Sequence, residues 1–324
     1  EAEPLDEAAL RQAVLARMGQ VEAFAVSGYF AVRNPAHEQR ARALIEAETG
    51  LPVTCGHDLT TRLNSVRRAT TVALNARLVP LLRELIETLR DTLAQRGVTA
   101  PLMVVKGDGS LVRAEWALKR PIETILSGPA ASAVGAWQLA RNLAPGSSGL
   151  SEDVRLWAID VGGTTTDIAV LREGRPKVNP EGAQVGPWRT MVEAVDVHTI
   201  GLGGDSHVRL TADRQLRIGP QRVVPLSLLA SQHPEVVDEL RNQVTVPPRE
   251  DVAAQFLVTR RAASRPLDAD EQSIMDLLDR GPLSLSALVR QSRYGALVLR
   301  RVEKLVAERL VLRAGFTPTD ALHT

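Results

Sequence analysis

Asp160-Val161-Gly162-Gly163-Thr164-Thr165-Thr166-Asp167 lies between two apolar runs, Leu156-Trp157-Ala158-Ile159 and Ile168-Ala169-Val170-Leu171. Short apolar runs joined by adjacent glycines predict a β-hairpin over residues 155–171, with Gly162-Gly163 at the turn. Glycine lets backbone N–H groups approach an anion with no Cβ in the way. Three threonine hydroxyls add donors, and the flanking carboxylates suit Mg2+, held directly or through its waters. A bare hairpin turn needs glycine but not the acids, so the pattern points to ATP phosphates. The sequence has no Walker-type loop, which excludes a P-loop nucleotidase.

Working outward, Thr199-Ile200-Gly201-Leu202-Gly203-Gly204-Asp205-Ser206 follows about forty residues later. Its glycines allow a backbone to lie flat against a nucleotide, and at this distance from the Asp160 turn it fits an adenosine turn. Lys106-Gly107-Asp108-Gly109-Ser110 and Ser127-Gly128-Pro129 are less specific, and both a functional turn and an ordinary loop remain open there.

Upstream, apolar spacings of three and four predict helices over 5–20 and 36–49, the second stopped by Gly50. Residues 21–27 and 51–54 read as strands. A long helix over 66–96 ends at Gly97, and Pro80 is expected to kink or divide it. A strand over 102–105 and a helix over 127–142 precede Pro145-Gly146-Ser147-Ser148-Gly149, read as a surface loop. Alternation of strand and helix makes the main body α/β. Beyond Pro247-Pro248-Arg249-Glu250, read as a linker, three short helices (269–279, 284–292, 295–309) and a strand pair near Leu310-Val311-Leu312 suggest a small winged-helix-like module. The expected organisation is a partial first α/β lobe with connecting helices (1–100), a second α/β lobe bearing both turns (101–246), and the linker with its module (247–324).

The 324 residues carry 39 Lys+Arg against 38 Asp+Glu, a balance that argues against a chain-wide polyanionic partner. Cys55 is the sole cysteine, which excludes an intrachain disulfide framework and any multi-cysteine zinc site. No apolar run approaches the 18 residues of a membrane span, so no membrane partner is expected. Aromatic residues make up 3%, so Leu, Val, Ile and Ala must build the core.

Phe30-Ala31-Val32-Arg33-Asn34-Pro35-Ala36-His37-Glu38, Leu126-Ser127-Gly128-Pro129-Ala130, Asp160–Asp167, Asp196-Val197-His198-Thr199-Ile200-Gly201 and Phe316-Thr317-Pro318-Thr319-Asp320-Ala321-Leu322 occur in this order. Together they resemble the hydantoinase A/oxoprolinase family. The resemblance implies a partial actin-like (ribonuclease H-like) ATPase fold, shared with Hsp70 and sugar kinases, in which two α/β halves close on ATP. It implies ATP-dependent opening of a cyclic amide such as a hydantoin or 5-oxoproline, with Mg2+ and a hydantoinase B-like second subunit or self-association. A cytoplasmic location is expected.

Carried over on this basis, Asp160, Gly162, Gly163, Thr164, Thr165 and Thr166 match the second phosphate turn. Asp160 and Asp167 are the candidate catalytic carboxylates, and Asp160 a Mg2+ ligand. Gly201, Gly203, Gly204 and Asp205 match the adenosine turn. Asp196 and His198 match an Asp-x-His that is read either as part of a second divalent-metal site or as a structural hydrogen-bonded pair, since one imidazole and one carboxylate are an incomplete ligand set. The sequence departs from the family at Leu202 and Asp205, at Lys106-Gly107-Asp108-Gly109, and after Gly219-Pro220. It also carries one Asp-x-Gly-Gly-Thr turn where the family has two, so the isolated chain is expected to be inactive.

Two other functional classes fit parts of the sequence. Residues 284–316 hold seven basic residues (Arg290, Arg293, Arg300, Arg301, Lys304, Arg309, Arg313) against Glu303 and Glu308, a pattern open to a DNA-binding regulator. Pairing of Arg300 and Arg301 with those two acids argues against it, and nucleic acid is not the expected partner. A catalytically degenerate scaffold that binds nucleotide is the other reading. Cys55 beside His57 reads as an incidental pair in a loop rather than a nucleophile arrangement.

Overall fold

The computed structural model describes residues 3–143, 155–211, 213–292 and 295–322. Pro145–Gly149 and Arg293 lie outside them. The chain divides into two compact units, one of residues 1–160 and 168–198, the other of residues 161–167 and 199–324. Among the described residues no helix is long and apolar enough to cross a membrane.

The first unit opens with α1 (Glu7–Leu15), whose N-terminal N–H of Ala9 is capped by the Asp6 carboxylate at 2.9 Å. Strand β1 (Phe24–Val26), helix α2 (Ala36–Thr49) and strand β2 (Val53–Cys55) form a parallel crossover unit, with Phe24 opposite Val53. Pro35 stands just before α2, and Gly50 ends it in the left-handed conformation at φ 66°. After the single turn α3 (Gly56–Leu59), helix α4 (Ser65–Gln95) starts at Asn64, whose side chain accepts the Arg67 N–H. Pro80 sits inside α4 without dividing it. It removes one ladder bond, to the Ala76 carbonyl, and the remaining turns keep the helix continuous.

The buried Asn75 amide of α4 donates to Thr54 Oγ1 at 3.0 Å and to the Lys119 carbonyl at 3.1 Å, and its oxygen accepts the Ile122 N–H at 3.0 Å. One side chain thus fastens three segments. Strands β3 (Met103–Val105) and β4 (Leu111–Arg113) form an antiparallel hairpin around Lys106–Ser110, followed by α5 (Ala114–Lys119) and α6 (Ser127–Leu143). Gly107 is fixed by packing, because a Cβ there would stand 2.1 Å from the Ile125 carbonyl oxygen.

Strands β5 (Arg155–Val161) and β6 (Thr166–Arg172) flank the glycine turn as expected, in a sheet of order β12-β6-β5 with β7 (Arg175–Pro176) beside β6. Ala130 and Ala133 of α6 pack on Ala158, Ala169 and Leu171. Short pairs β8 (Val178–Asn179) with β11 (Ala194–Val195), and β9 (Gln184–Val185) with β10 (Trp188–Arg189), lead to β12 (Val197–Ile200).

The second unit continues through the antiparallel pair β13 (Ser206–Leu210) and β14 (Leu216–Arg222), then β15 (Val224–Pro225), α7 (Leu226–Gln232) and α8 (Glu235–Thr245). Strand β16 (Phe256–Thr259) precedes α9 (Ala269–Leu278), β17 (Leu283–Ser284), α10 (Leu285–Gln291), α11 (Leu299–Ala307), β18 (Val311–Gly315) and α12 (Pro318–Leu322). Asp268 and Glu271 form a reciprocal capping box at the start of α9. The expected terminal strand pair is a single strand, β18, whose partners come from far upstream: β16 antiparallel and β15 parallel. Leu257, Ile274, Leu285, Val302, Leu305 and Val311 close the core of this region. Each large aliphatic side chain so buried contributes about 1.5–3 kcal/mol.

Candidate functional site

Within the second unit the two glycine turns pack backbone against backbone. The Gly162 N–H bonds the Thr165 carbonyl at 2.9 Å, which closes the hairpin turn. The Gly204 and Asp205 N–H groups then donate to the carbonyls of Gly162 and Gly163, both at 2.9 Å. Thr166 Oγ1 donates to the Leu202 carbonyl and Thr199 Oγ1 to Asp167 Oδ1, each at 2.6 Å. Gly203 is buried, and a Cβ on it would stand 2.5 Å from the Gly162 carbonyl oxygen. A Cβ on Gly204 would stand 2.7 Å from Thr319 Oγ1. Gly203 and Gly204 are therefore required by the neighbouring protein, whereas Gly162 and Gly201 are exposed and would bring a Cβ no nearer than 3.4 Å to anything.

Gly162 and Thr164 face solvent, with Gly163, Thr165, Thr166 and Asp167 half-buried behind them. This set of small residues and hydroxyls, next to a carboxylate, fits phosphate oxygens and a hard oxygen-seeking cation. Asp160 belongs to the first unit, is exposed, and accepts Ser132 Oγ at 2.6 Å.

Asp205, a departure from the family pattern, is neutralised locally. Its Oδ2 accepts Arg222 Nη2 at 2.8 Å and Nε at 3.1 Å. The C-terminal Phe316–Leu322 motif also has a visible role. Thr319 donates to the Gly204 carbonyl through its N–H at 2.9 Å and its hydroxyl at 2.8 Å. Asp320 accepts N–H groups of Ser227 at 2.7 Å, Thr317 at 2.8 Å and Leu226 at 3.2 Å. Burial raises the Asp320 pKa, but these hydrogen bonds outweigh it and hold the carboxyl below its ordinary range. The tail thus braces the second glycine turn from behind.

Asp196 and His198, the candidate metal pair, lie in the first unit. Asp196 Oδ2 pairs with Lys177 Nζ at 2.7 Å, and His198 is exposed on β12. The basic residues of the C-terminal region are largely engaged, though not with the partners expected. Arg301 reaches Asp268 at 3.2 Å and Lys304 reaches Glu271 at 2.6 Å, while Glu303 holds Arg313 and Glu308 holds Arg265.

Cys55 and His57, expected to be an incidental pair, meet Glu38 in a polar cluster of the first unit. Glu38, 1% exposed, accepts the Gly28 N–H at 2.7 Å on Oε1, and the His57 N–H and Nδ1 at 2.9 and 2.5 Å on Oε2. Glu38, Cys55 and His57 hold their polar atoms within 4.8 Å of one another. Both Glu38 oxygens accept N–H donors, and Cys55 Sγ lies 3.5 Å from the Glu38 carbonyl, so the three residues are joined by hydrogen bonds. The available signal was the Asn-Pro-x-His-Glu run together with a histidine just past the next strand. Their 19-residue separation hid the contact.

A family model described as hydantoinase/oxoprolinase matches residues 68–230, and one for the hydantoinase/oxoprolinase N-terminal region matches residues 1–49. The chain belongs to the hydantoinase/oxoprolinase family. It is 30% identical over 223 residues to the caprolactamase subunit alpha of Pseudomonas jessenii, covering 68% of this chain and 31% of that protein. It is 26% identical over 227 residues to the acetophenone carboxylase gamma subunit of Aromatoleum aromaticum, covering 67% and 30%. The crystal structure of the ATP-dependent caprolactamase from Pseudomonas jessenii superposes with a TM-score of 0.55 at 28% identity, covering 68% of this chain and 31% of that chain. This family member thus spans about a third of the length of the curated relatives it matches.

Proposed function

We propose that this chain is the portion of an ATP-dependent cyclic-amide hydrolase subunit that supplies one of two phosphate turns. The observation that carries the reading is the pairing of the Gly162–Thr166 turn with the Gly201–Asp205 turn through two backbone hydrogen bonds. This pairing fixes the small, hydroxyl-bearing face of the first turn. The likeness to the ATP-dependent caprolactamase supports an actin-like arrangement, and the sheet β17-β16-β18 with α9, α10 and α11 supports a winged-helix-like C-terminal module.

Gly162, Gly163 and Thr164–Thr166 would hold the phosphates, with Asp160 and Asp167 near the Mg2+, and Gly201, Gly203, Gly204 and Asp205 forming the adenosine turn. Mg-ATP, when bound, supplies the phosphoryl group that activates the ring amide toward water. Thr166 and Thr199 hold the turn and Asp167 in place through their hydroxyl bonds. Arg222 neutralises Asp205, so the triphosphate meets no uncompensated carboxylate there. A hydantoinase B-like second subunit completes the proposed assembly.

The test is isothermal titration of Mg-ATP into the 324-residue chain, beside a phosphate-release assay with hydantoin and 5-oxoproline. Weak, Mg2+-dependent binding without turnover is expected, since a single turn offers half of the phosphate donors. Each charge-assisted hydrogen bond is worth about 1.5–3 kcal/mol, and about 1.4 kcal/mol is a factor of ten. Micromolar binding with substrate-stimulated turnover would show a complete site in this chain. Absence of any Mg2+-dependent binding would remove the ATP reading.

A further inference from the structure

The second unit contains a cleft of about 550 Å3 along the β13–β14 hairpin, lined by none of the residues of the two glycine turns. That size falls in the range of small-ligand pockets, about 300–1,000 Å3. Arg209 and Arg217 line it and stand directly opposite each other in the ladder. Both are exposed, and neither has a hydrogen-bond or ion-pair partner among the described residues. Like charges facing each other across two strands destabilise a sheet, so the hairpin keeps a repulsion that nothing around it offsets. His207, 5% exposed, lines the same cleft, and its Nδ1 has no partner among the described residues. The acids of the cleft are engaged: Asp251 by Arg249 at 2.8 Å and Glu303 by Arg313 at 2.5 Å. Gln255 Oε1 accepts a second Arg313 nitrogen at 3.0 Å, which fixes that guanidinium while its buried Nε stays unpartnered.

The uncompensated charge of the cleft is therefore that of two guanidinium groups. A guanidinium fork matches the oxygens of carboxylates and phosphates alike. A monocarboxylate would offset one of the two charges, whereas a phosphate monoester carries about −1.5 to −2 at pH 7 and presents three acceptor oxygens. Those oxygens can bridge two guanidiniums that share one ladder position. Leu210 and Leu299 in the lining give the rest of the ester an apolar surface to lie on. We propose that this cleft binds a phosphate monoester, with Arg209 and Arg217 holding the dianion and the His207 ring adding a donor. The site is separate from the glycine turns and does not rest on the nucleotide reading. Burial, and then the positive fields of Arg209 and Arg313, hold the His207 imidazole below its ordinary pKa. The charged groups that share the cleft with it are Arg209, Arg217, Asp251, Glu303 and Arg313. A bound dianion offsets the first two, so the His207 pKa rises on loading.

The experiment is a titration of phenyl phosphate into the full chain at about 0.15 M salt, with EDTA and without nucleotide. It is followed by calorimetry and by histidine side-chain NMR, with the His207 signal assigned from His207→Gln. Benzoate and succinate are the controls: the first puts one negative charge on the same ring, the second carries two charges on separate carboxylates. Saturable movement of the His207 signal and a rise in its pKa are expected with phenyl phosphate. Both controls are expected to bind at least about tenfold more weakly, about 1.4 kcal/mol. Arg209→Gln and Arg217→Gln are each expected to weaken phenyl phosphate by at least about tenfold. Each removes one of two facing like charges, so the urea midpoint is expected to hold or rise. An unmoved His207 signal, controls that bind as tightly as phenyl phosphate, or variants that bind like the parent overturn the proposal. Movement confined to the backbone amides of Gly162–Asp167 overturns it as well and places the phosphate at the glycine turn. Because neither Mg2+ nor ATP is present, failure of Mg-ATP binding leaves a positive result standing.

Discussion

Gly203→Ala is the perturbation that separates a glycine kept for packing from one kept for a ligand. None of Gly162, Gly201 and Gly203 sits at positive φ, so alanine meets no left-handed-region penalty at any of them. At Gly203 the new Cβ would stand 2.5 Å from the Gly162 oxygen and 2.6 Å from the Gly163 carbonyl carbon and oxygen. Ordinary contact begins at 3.4 Å, so the facing backbone must retreat by about 0.9 Å. Overpacking of this kind costs about 1–3 kcal/mol. The same retreat stretches the Gly204 and Asp205 N–H bonds to Gly162 and Gly163, worth about 1 kcal/mol each. The sum is about 3–5 kcal/mol, which at about 2–3 kcal/mol per molar urea lowers the midpoint by about 1–2.5 M. Gly201→Ala, with Pro220 Cβ at 3.5 Å, and Gly162→Ala, with the Thr165 oxygen at 3.4 Å, are expected to stay within about 1 kcal/mol of the parent. Urea unfolding followed by circular dichroism measures all three. A Gly203→Ala midpoint equal to the parent, or equal losses in all three variants, refutes the packing argument.

Three further outcomes are expected. Asp320→Asn should cost about 1–3 kcal/mol at pH 7. The Asp320 pKa is depressed in the fold, so its contribution is present above the unfolded value of about 3.9 and is lost as pH falls through the folded value; urea midpoints of parent and variant should converge in acid. Asn75→Ala leaves the buried Ile122 N–H and Lys119 carbonyl unpaired and should lower stability by about 2–4 kcal/mol, read by thermal or urea unfolding. Pro80→Ala restores a ladder bond inside α4 and should raise stability by about 1–2 kcal/mol, less than the full helix penalty of about 3 because the unfolded chain gains freedom.

What the sequence made legible was local. Pro35 and Gly50 bracket α2, and the periodic residues between them give its bounds, Ala36–Thr49. The hairpin over β5 and β6 follows from two apolar runs and a glycine pair. Tertiary pairing was not legible. Strand β16 reads as a short apolar run, and nothing near it announces that Phe256–Thr259 will pair with residues 311–314 more than fifty residues on, Phe256 opposite Ala314 and Thr259 opposite Val311. The candidate site divides in the same way. The two glycine turns were visible as composition, but their mutual packing, which fixes Gly203, depends on a contact between segments about forty residues apart. Asp205 looked like a stray charge until Arg222, on the adjacent strand, accounted for it. Glu38 and His57 each looked ordinary alone, and their contact exists because the parallel crossover brings the start of α2 beside the end of β2.

The most direct test of the phosphate-turn assignment is a backbone amide NMR titration of the 324-residue chain with Mg-ATP. Signals of Gly162–Asp167 and Gly201–Asp205 are expected to move together, at weak affinity and only when Mg2+ is present. Signals that move elsewhere while both turns stay fixed would contradict it.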